Sequence, residues 1–194
     1  VSFTPGSSGS RAYLAVAGGI EAGTFAGSSA SDLRGLLGRA LRAGDVLGTA
    51  TERSGTEGRS FIPYRQAPKV VPVRILPGPQ ASDDALAALT SSTFAAGRGD
   101  RMGLTLAGPV VPGGEIVSEG VPIGAVQVTS AGSPIILLHD RGTLGGYHKP
   151  AVVHPRDLGL VAQLRPGQRL RFVLTADDRT AASSRRRPDP PRVR

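Results

Sequence analysis

Residues that could do chemistry gather in three places along this 194-residue chain. The densest is Asp140-Arg141-Gly142-Thr143-Leu144-Gly145-Gly146-Tyr147-His148-Lys149, directly after the apolar stretch Pro134–His139. As a loop it can expose backbone N–H groups and deliver Arg141, Tyr147 and Lys149 together to an anionic or carbonyl group. As a plain connection between strands, it leaves Asp140 and Arg141 making turn and surface contacts. In the second place, Glu115–Gln127, Glu119 and Gln127 fall near the ends of one strand whose glycines let another backbone approach. The competing reading is a bent strand of a small barrel. The third, Asp100-Arg101-Met102-Gly103, offers either an ion pair that fixes the start of a strand or an arginine aimed at a carboxylate.

Several chemistries are excluded at the level of residue type. There is no cysteine, so no disulfide framework, thiolate metal site or thiol nucleophile. Gly6-Ser7-Ser8-Gly9-Ser10 has no lysine ahead of it to activate a serine, since the first lysine is Lys69. A G-x-S-x-G elbow, a G-x-x-x-x-G-K-[ST] phosphate loop, a G-x-G-x-x-G turn and an H-E-x-x-H helix are all lacking. His139, His148 and His154 have no carboxylates at metal-site spacing and read as structural, and no metal is expected. The net charge of +8 includes six Arg against three Asp after Thr175, and the remaining basic residues are scattered without aromatic interleaving. That is a poor nucleic-acid platform. No stretch approaches 18 apolar residues, which gives no membrane span and an expected cytoplasmic location.

The elements that must hold these residues are mostly strands. With 27 Gly, 16 Pro and few aromatics, the apolar residues are spread in short runs rather than helical stripes. Arg11–Ala17 reads as a buried strand closed by Gly18-Gly19, and Ser31–Leu41 as either a loop or a helix weakened by Gly35 and Gly38. The stretch from Thr49 to Pro68 is a surface connection. Val70–Leu76 is a strand in which Pro72 fits an edge or a bulge, and Ser82 caps a helix over Asp83–Leu89. Further strands are expected at Gly103–Ala107, Val121–Thr129, Pro134–His139 and Gln168–Leu174, and a helix at Asp157–Leu164 capped by Asp157. Leu41–Leu47 (LRAGDVL) echoes Leu164–Leu170 (LRPGQRL), each about 20 residues after a double glycine, which suggests a pair of related β lobes. Ala176–Arg194, rich in Arg and Pro, is expected to be disordered.

Read in order, Arg11–Ile20 (RAYLAVAGGI), Gly44-Asp45, Arg74 with Pro77-Gly78-Pro79-Gln80, Asp100–Gly103 with Gly108-Pro109, Ser118-Glu119-Gly120 through Gln127, and Gly145–Lys149 form a series of blocks. This series resembles the biotin-dependent carboxyltransferase family, also called allophanate hydrolase subunit 2, which includes the C subunit of 5-oxoprolinase and the Kip-type antagonist. The resemblance covers about residues 10–175. It implies a mainly β fold of cyclophilin-like barrel lobes with a few short helices, residues 1–175 forming that domain's C-terminal part. It also implies a smaller paralogous partner subunit of similar fold, a candidate third subunit, and ATP and biotin as candidate cofactors of the complex. The reaction implied is ATP-dependent opening of 5-oxoproline, or carboxyl transfer and hydrolysis in a urea or allophanate pathway; the alternative is a non-catalytic regulatory module. Candidate substrate-binding residues are Glu119, Gln127, Arg141, Gly145, Gly146, Tyr147 and Lys149. A segment that the family carries ahead of its Arg-Ala-Tyr block is not in this sequence. Ser29 stands where the family usually has arginine, and Gly142, Leu144 and His148 replace a usual Gln, Thr and Pro, departures that bear on activity more than on fold.

Overall fold

The computed structural model describes residues 9–33, 35–49 and 68–175, in two compact units: Ala12–Tyr64, and Val1–Arg11 with Arg65–Arg194. In the larger unit the order is β1 (Val70–Pro77), α1 (Asp83–Thr90), β2 (Thr93–Gly99), β3 (Gly103–Ala107), β4 (Glu115–Gly120), β5 (Ala125–Val128), β6 (Pro134–Leu137), β7 (Leu144–Val153), a 3-10 turn (Pro155–Asp157), α2 (Leu158–Ala162) and β8 (Arg169–Leu174). Strands neighbour one another as β1-β8-β2-β3-β6-β5-β7, and β1 pairs again with β7, so these seven close into a barrel while β4 extends the sheet from β7. Only β1 and β8 run parallel. The expected mainly β architecture with short helices is what forms.

Alternation drives the closure. In β1, Val71, Val73 and Ile75 are buried while Val70 and Pro72 face out, and β8 does the same with Leu170 and Phe172 against Arg169 and Arg171. Each fully buried aliphatic side chain contributes about 1.5–3 kcal/mol. Phe94 of β2 meets Phe172 with ring centroids 5.7 Å apart, and Leu106, Val126, Ile136 and Val153 continue the same interior. Pro72 has β8 on one side, while the β7 pairing begins only at Ile75, so its missing N–H costs no ladder bond to β7. α1 starts as expected, with Ser82 Oγ accepting from the Ala85 N–H, and buries Ala85 and Leu89.

Other expectations are corrected. Glu119 and Gln127 are not on one strand: Pro122–Gly124 makes a turn, with the Ala125 N–H donating to Pro122 O and Gly124 at φ +81°, and it separates β4 from β5. The Asp140–Lys149 loop is a loop only as far as Thr143; from Leu144 it is β7, held on one side by β4 and on the other by β5. α2 is shorter than expected, and the Asp157 carboxylate does not cap it. It accepts instead from Arg74 N, Nε and Nη2 at 2.8, 3.0 and 2.6 Å, tying the turn before α2 to β1. His154 does have a structural place, its Nδ1 accepting from the Arg156 N–H.

In the unit Ala12–Tyr64 the described residues form turns and three isolated bridges, Ile20↔Thr49, Phe25↔Ser28 and Asp32↔Leu37. The expected buried strand is not made: Ala12–Ala17 has no ladder partner in this unit, and Tyr13, Leu14 and Val16 are exposed. Its closing turn persists, with Gly18 and Gly19 at φ +78° and +77°. Ser31–Leu41 takes the loop reading. The sequence echo is also an echo of structure. The Asp45 N–H donates to Arg42 O and the Arg42 N–H to Asp45 Oδ2; likewise the Gln168 N–H donates to Arg165 O and the Arg165 N–H to Gln168 Oε1. Gly44 and Gly167 hold the matching positive φ, +93° and +82°. Beyond the turn the two copies diverge, since Arg169 enters a barrel strand and Val46 stays exposed. The sequence features within residues 1–8, 50–67 and 176–194, including most of the glycine-serine stretch and the tail, lie outside the described residues.

Candidate functional site

β7 carries four of the candidate residues, Gly145, Gly146, Tyr147 and Lys149. Its odd-numbered residues Ala151 and Val153 point into the barrel core, and Lys149 shares that face, its side chain wholly buried. A lone ammonium could not stay there without a counter-charge. Glu119 of β4 supplies it, with Oε1 2.7 Å from Lys149 Nζ; the carbonyl of Tyr147 lies 3.5 Å from the same nitrogen. The Glu119 side chain is itself 44% exposed, so the pair runs from the interior to the surface. Hydrogen bonds from Lys149 first and Gln80 second hold the Glu119 carboxyl below its ordinary pKa, outweighing the smaller penalty of burial.

Gln80 was not among the candidates and is the third member. Its Nε2 donates to Glu119 Oε1 at 2.6 Å, and its Oε1 accepts from the Lys149 N–H at 3.1 Å. The turn that delivers it is built for close approach: the Gly78 N–H donates to Pro150 O at 2.8 Å, and a Cβ on Gly78 would lie 2.1 Å from the Lys149 carbonyl oxygen. Only glycine fits, and the flanking Pro77 and Pro79 restrict the backbone on either side. The sequence marks the proline-glycine-proline turn but not the partners of the polar side chain that follows it.

The remaining candidates surround this triad. Gly145 pairs with Glu119 across β4 and β7, and a Cβ there would lie 2.6 Å from Gln127 Nε2 and 3.0 Å from Val121 Cγ2. Glu119, Gly145 and Gln127 are thereby brought to one place although they come from three strands. Gln127 is 93% buried by residue area, and its Nε2 has no acceptor among the described residues. Gly146 sits where a side chain would crowd Ile116 O, at 3.1 Å. Tyr147 pairs with Glu115 and is half-buried. Arg141 donates from Nε to Val121 O at 2.9 Å and from Nη1 to His139 O at 3.5 Å, so it braces the turn behind Gly145. Asp100 and Arg101 stand apart. Asp100 Oδ1 accepts from the Met102 and Gly103 N–H groups, and Arg101 Nε pairs with Asp140 Oδ2 at 2.7 Å on the surface, which is the strand-start reading.

A buried lysine set on a half-exposed carboxylate of the strand that extends the barrel sheet is the candidate site. Its kinship is specific. The chain belongs to the carboxyltransferase-domain family, subdomains A and B, which it matches over residues 1–174. It is 36% identical to the C subunit of 5-oxoprolinase from Escherichia coli (strain K12) over 179 residues, which are 85% of this chain and 56% of that protein. It is 29% identical to the urea amidolyase of Saccharomyces cerevisiae over 86% of this chain and 11% of that protein. Among solved structures, TTHA0988 superposes with a TM-score of 0.76 at 52% identity, over 82% of this chain and 32% of that one. The chain thus spans little more than half the length of the 5-oxoprolinase subunit it resembles. No helix among the described residues is long and apolar enough to cross a membrane.

Proposed function

We propose that this chain is a subunit of an ATP-dependent 5-oxoprolinase, converting 5-oxoproline to glutamate, or of a related urea or allophanate carboxyltransferase-hydrolase complex acting on an amide or ureido carbonyl. The observation that carries the reading is the Lys149–Glu119–Gln80 triad. A buried charge costs several kcal/mol unless it is paired and hydrogen-bonded, and folds keep such arrangements where fixed polar geometry serves binding or catalysis. Glu119, Gln127, Arg141, Gly145, Gly146, Tyr147 and Lys149 are the proposed substrate-binding residues, with Gln80 added to them. The chain's kinship to the 5-oxoprolinase C subunit and to urea amidolyase supports the substrate class.

The Lys149–Glu119–Gln80 triad does not itself fit a nucleotide phosphate. Lys149 is buried and already neutralised, and the chain has no phosphate-cradling glycine-lysine loop. ATP and biotin are proposed as cofactors of the complex, whose other members are a smaller paralogous subunit of cyclophilin-like fold and a candidate third subunit, all in the cytoplasm. A second reading, a non-catalytic regulatory module, is favoured by one observation: the triad contains a carboxylate and an ammonium but no nucleophile paired with a base. Assay of 5-oxoproline-dependent ATP hydrolysis by the assembled complex separates the two. Tyr147→Phe and Lys149→Ala should each lower turnover; full turnover in both variants would sink the site assignment, and no turnover in any combination of partners would favour the regulatory module.

A further inference from the structure

The glycine-serine stretch that offers no activated nucleophile ends in a different piece of chemistry. Residues 9–11 lie against the end of α2, and one side chain binds their backbone. Gln163, the residue after α2, accepts at Oε1 from the Ser10 and Arg11 N–H groups, both at 2.9 Å, and donates from Nε2 to Arg11 O at 3.0 Å. Ser10 Oγ donates to Ala162 O at 3.1 Å. The Arg11 guanidinium donates from Nη1 to the same carbonyl and from Nη2 to Asp100 O at 2.8 Å. The last carbonyls of a helix have no partner within it, so the segment supplies donors that α2 lacks. Gly9 is at φ +73°, and a Cβ there would lie 2.6 Å from Gln163 Oε1, so this approach requires glycine.

What holds the segment is polar. Ser10 is exposed and Gly9 and Arg11 are only half-buried. Ser10 and Arg11 share a cavity of about 60 Å³ with the core residues Leu104, Leu138, Val161 and Leu164, so close apolar packing does not seal them to the barrel. A contact made of surface hydrogen bonds opens at a lower free energy than the core strands behind it. We infer that the end of α2 is a docking surface for the chain's own residues 9–11, a strap that Gln163 fastens and that lifts off while the barrel stays folded. Arg11 is the last residue of the barrel's unit before the smaller unit begins at Ala12, so the strap is the lead from one into the other.

Trypsin tests this directly, because it must draw the Arg11 side chain away from its two carbonyls before it can cut the bond to Ala12. Initial rates are followed by mass spectrometry on the full-length protein, with a synthetic peptide of residues 7–16 as the unprotected standard. Where closing is fast, cleavage tracks the population of the open form. The cut after Arg11 should be about tenfold or more slower than in the peptide. It should still be faster than the cut after Arg171, which lies in β8 between β1 and β2 and needs the barrel open. Gln163→Met removes three bonds, each worth about two- to tenfold, and should speed the Arg11 cut by about tenfold or more with the Arg171 cut unchanged. Gln163→Glu, which keeps the acceptor and loses the donor, should fall between. Amide exchange at Ser10 and Arg11 should rise by the same factors. A wild-type Arg11 cut as fast as the peptide's would mean that the strap is not fastened, and one as slow as the Arg171 cut that it opens only with the barrel. An unchanged Arg11 cut in Gln163→Met, or an equal rise in both cuts, would likewise overturn the inference.

Discussion

Gly78→Ala is the substitution whose consequence follows most directly from the coordinates. The new Cβ would sit 2.1 Å from Lys149 O, 2.9 Å from Ala151 N and 3.0 Å from Lys149 C, all backbone atoms that cannot swing aside. Reaching 3.4 Å, where ordinary contact begins, needs a movement of about 1.3 Å. That movement breaks the bond from the Gly78 N–H to Pro150 O and stretches the two bonds between Gln80 and Lys149 beyond use. Two to three hydrogen bonds at about 1 kcal/mol each give a loss of about 2–3 kcal/mol. For a chain of this size that is a fall in Tm of roughly 4–12 °C. Circular dichroism melts on wild type and Gly78→Ala measure it, and the assembled complex should lose activity as Gln80 leaves Glu119. A Tm within about 2 °C of wild type would refute the reasoning, because it would mean that the turn is not pressed against β7.

Other outcomes follow from the same contacts. Gln127→Met replaces a buried N–H donor lacking an acceptor with an apolar side chain of similar size, and should leave stability unchanged or raise it by about 1 kcal/mol in urea unfolding; a loss of that size would show that the donor has a partner. For Asp157, burial alone would raise the carboxyl pKa, but the hydrogen bonds and charge of Arg74 outweigh it and hold the group below its ordinary 3.8. A depressed carboxylate stabilises the fold above its unfolded pKa and loses that contribution as pH falls through the folded one. Asp157→Asn should therefore be less stable than wild type at pH 7, with the gap closing as urea midpoints are followed below about pH 4. Asp45, bonded by the Arg39 guanidinium and the Arg42 N–H, should titrate at about 2 by ¹³C NMR and move up in Arg39→Ala. An unmoved midpoint in that variant would show that the pair does not form in solution.

Where a strand buries one face and exposes the other, the sequence announced it: β1, β3, β6 and β8 all follow alternation or apolar runs, and α1 follows its serine cap. β7 did not, because its first half owes its place to neighbours rather than to its own pattern. Gly145 is glycine so that Gln127 can lie over it, and Lys149 occupies a core position because Glu119 neutralises it from another strand. β2 was missed for a related reason: Ala95-Ala96-Gly97 has weak strand propensity, yet Gly97 lies where a Cβ would come within 2.5 Å of Thr105 Oγ1. Of the site, Glu119 and Lys149 were legible as a cluster of reactive residue types, but their direct bond was not, since they lie 30 positions apart with two strands between them. Gln80 could be reached only through its long-range partners. Arg11–Ala17 failed in the opposite direction, since an apolar run of strand-forming residues makes a strand only where a second strand is present to pair with it.

If the protein is a necessary part of a 5-oxoprolinase or urea-type complex, as proposed, omitting it must abolish the complex's activity. The partner subunits are assayed for ATP hydrolysis stimulated by 5-oxoproline, and separately by urea and allophanate, without the full-length protein and after adding it back. Stimulation by one of these substrates should be absent without the protein, return on addition, and be lost when Glu119→Ala is added instead. Stimulation that is equal with and without the protein, or fully restored by Glu119→Ala, would contradict the proposal.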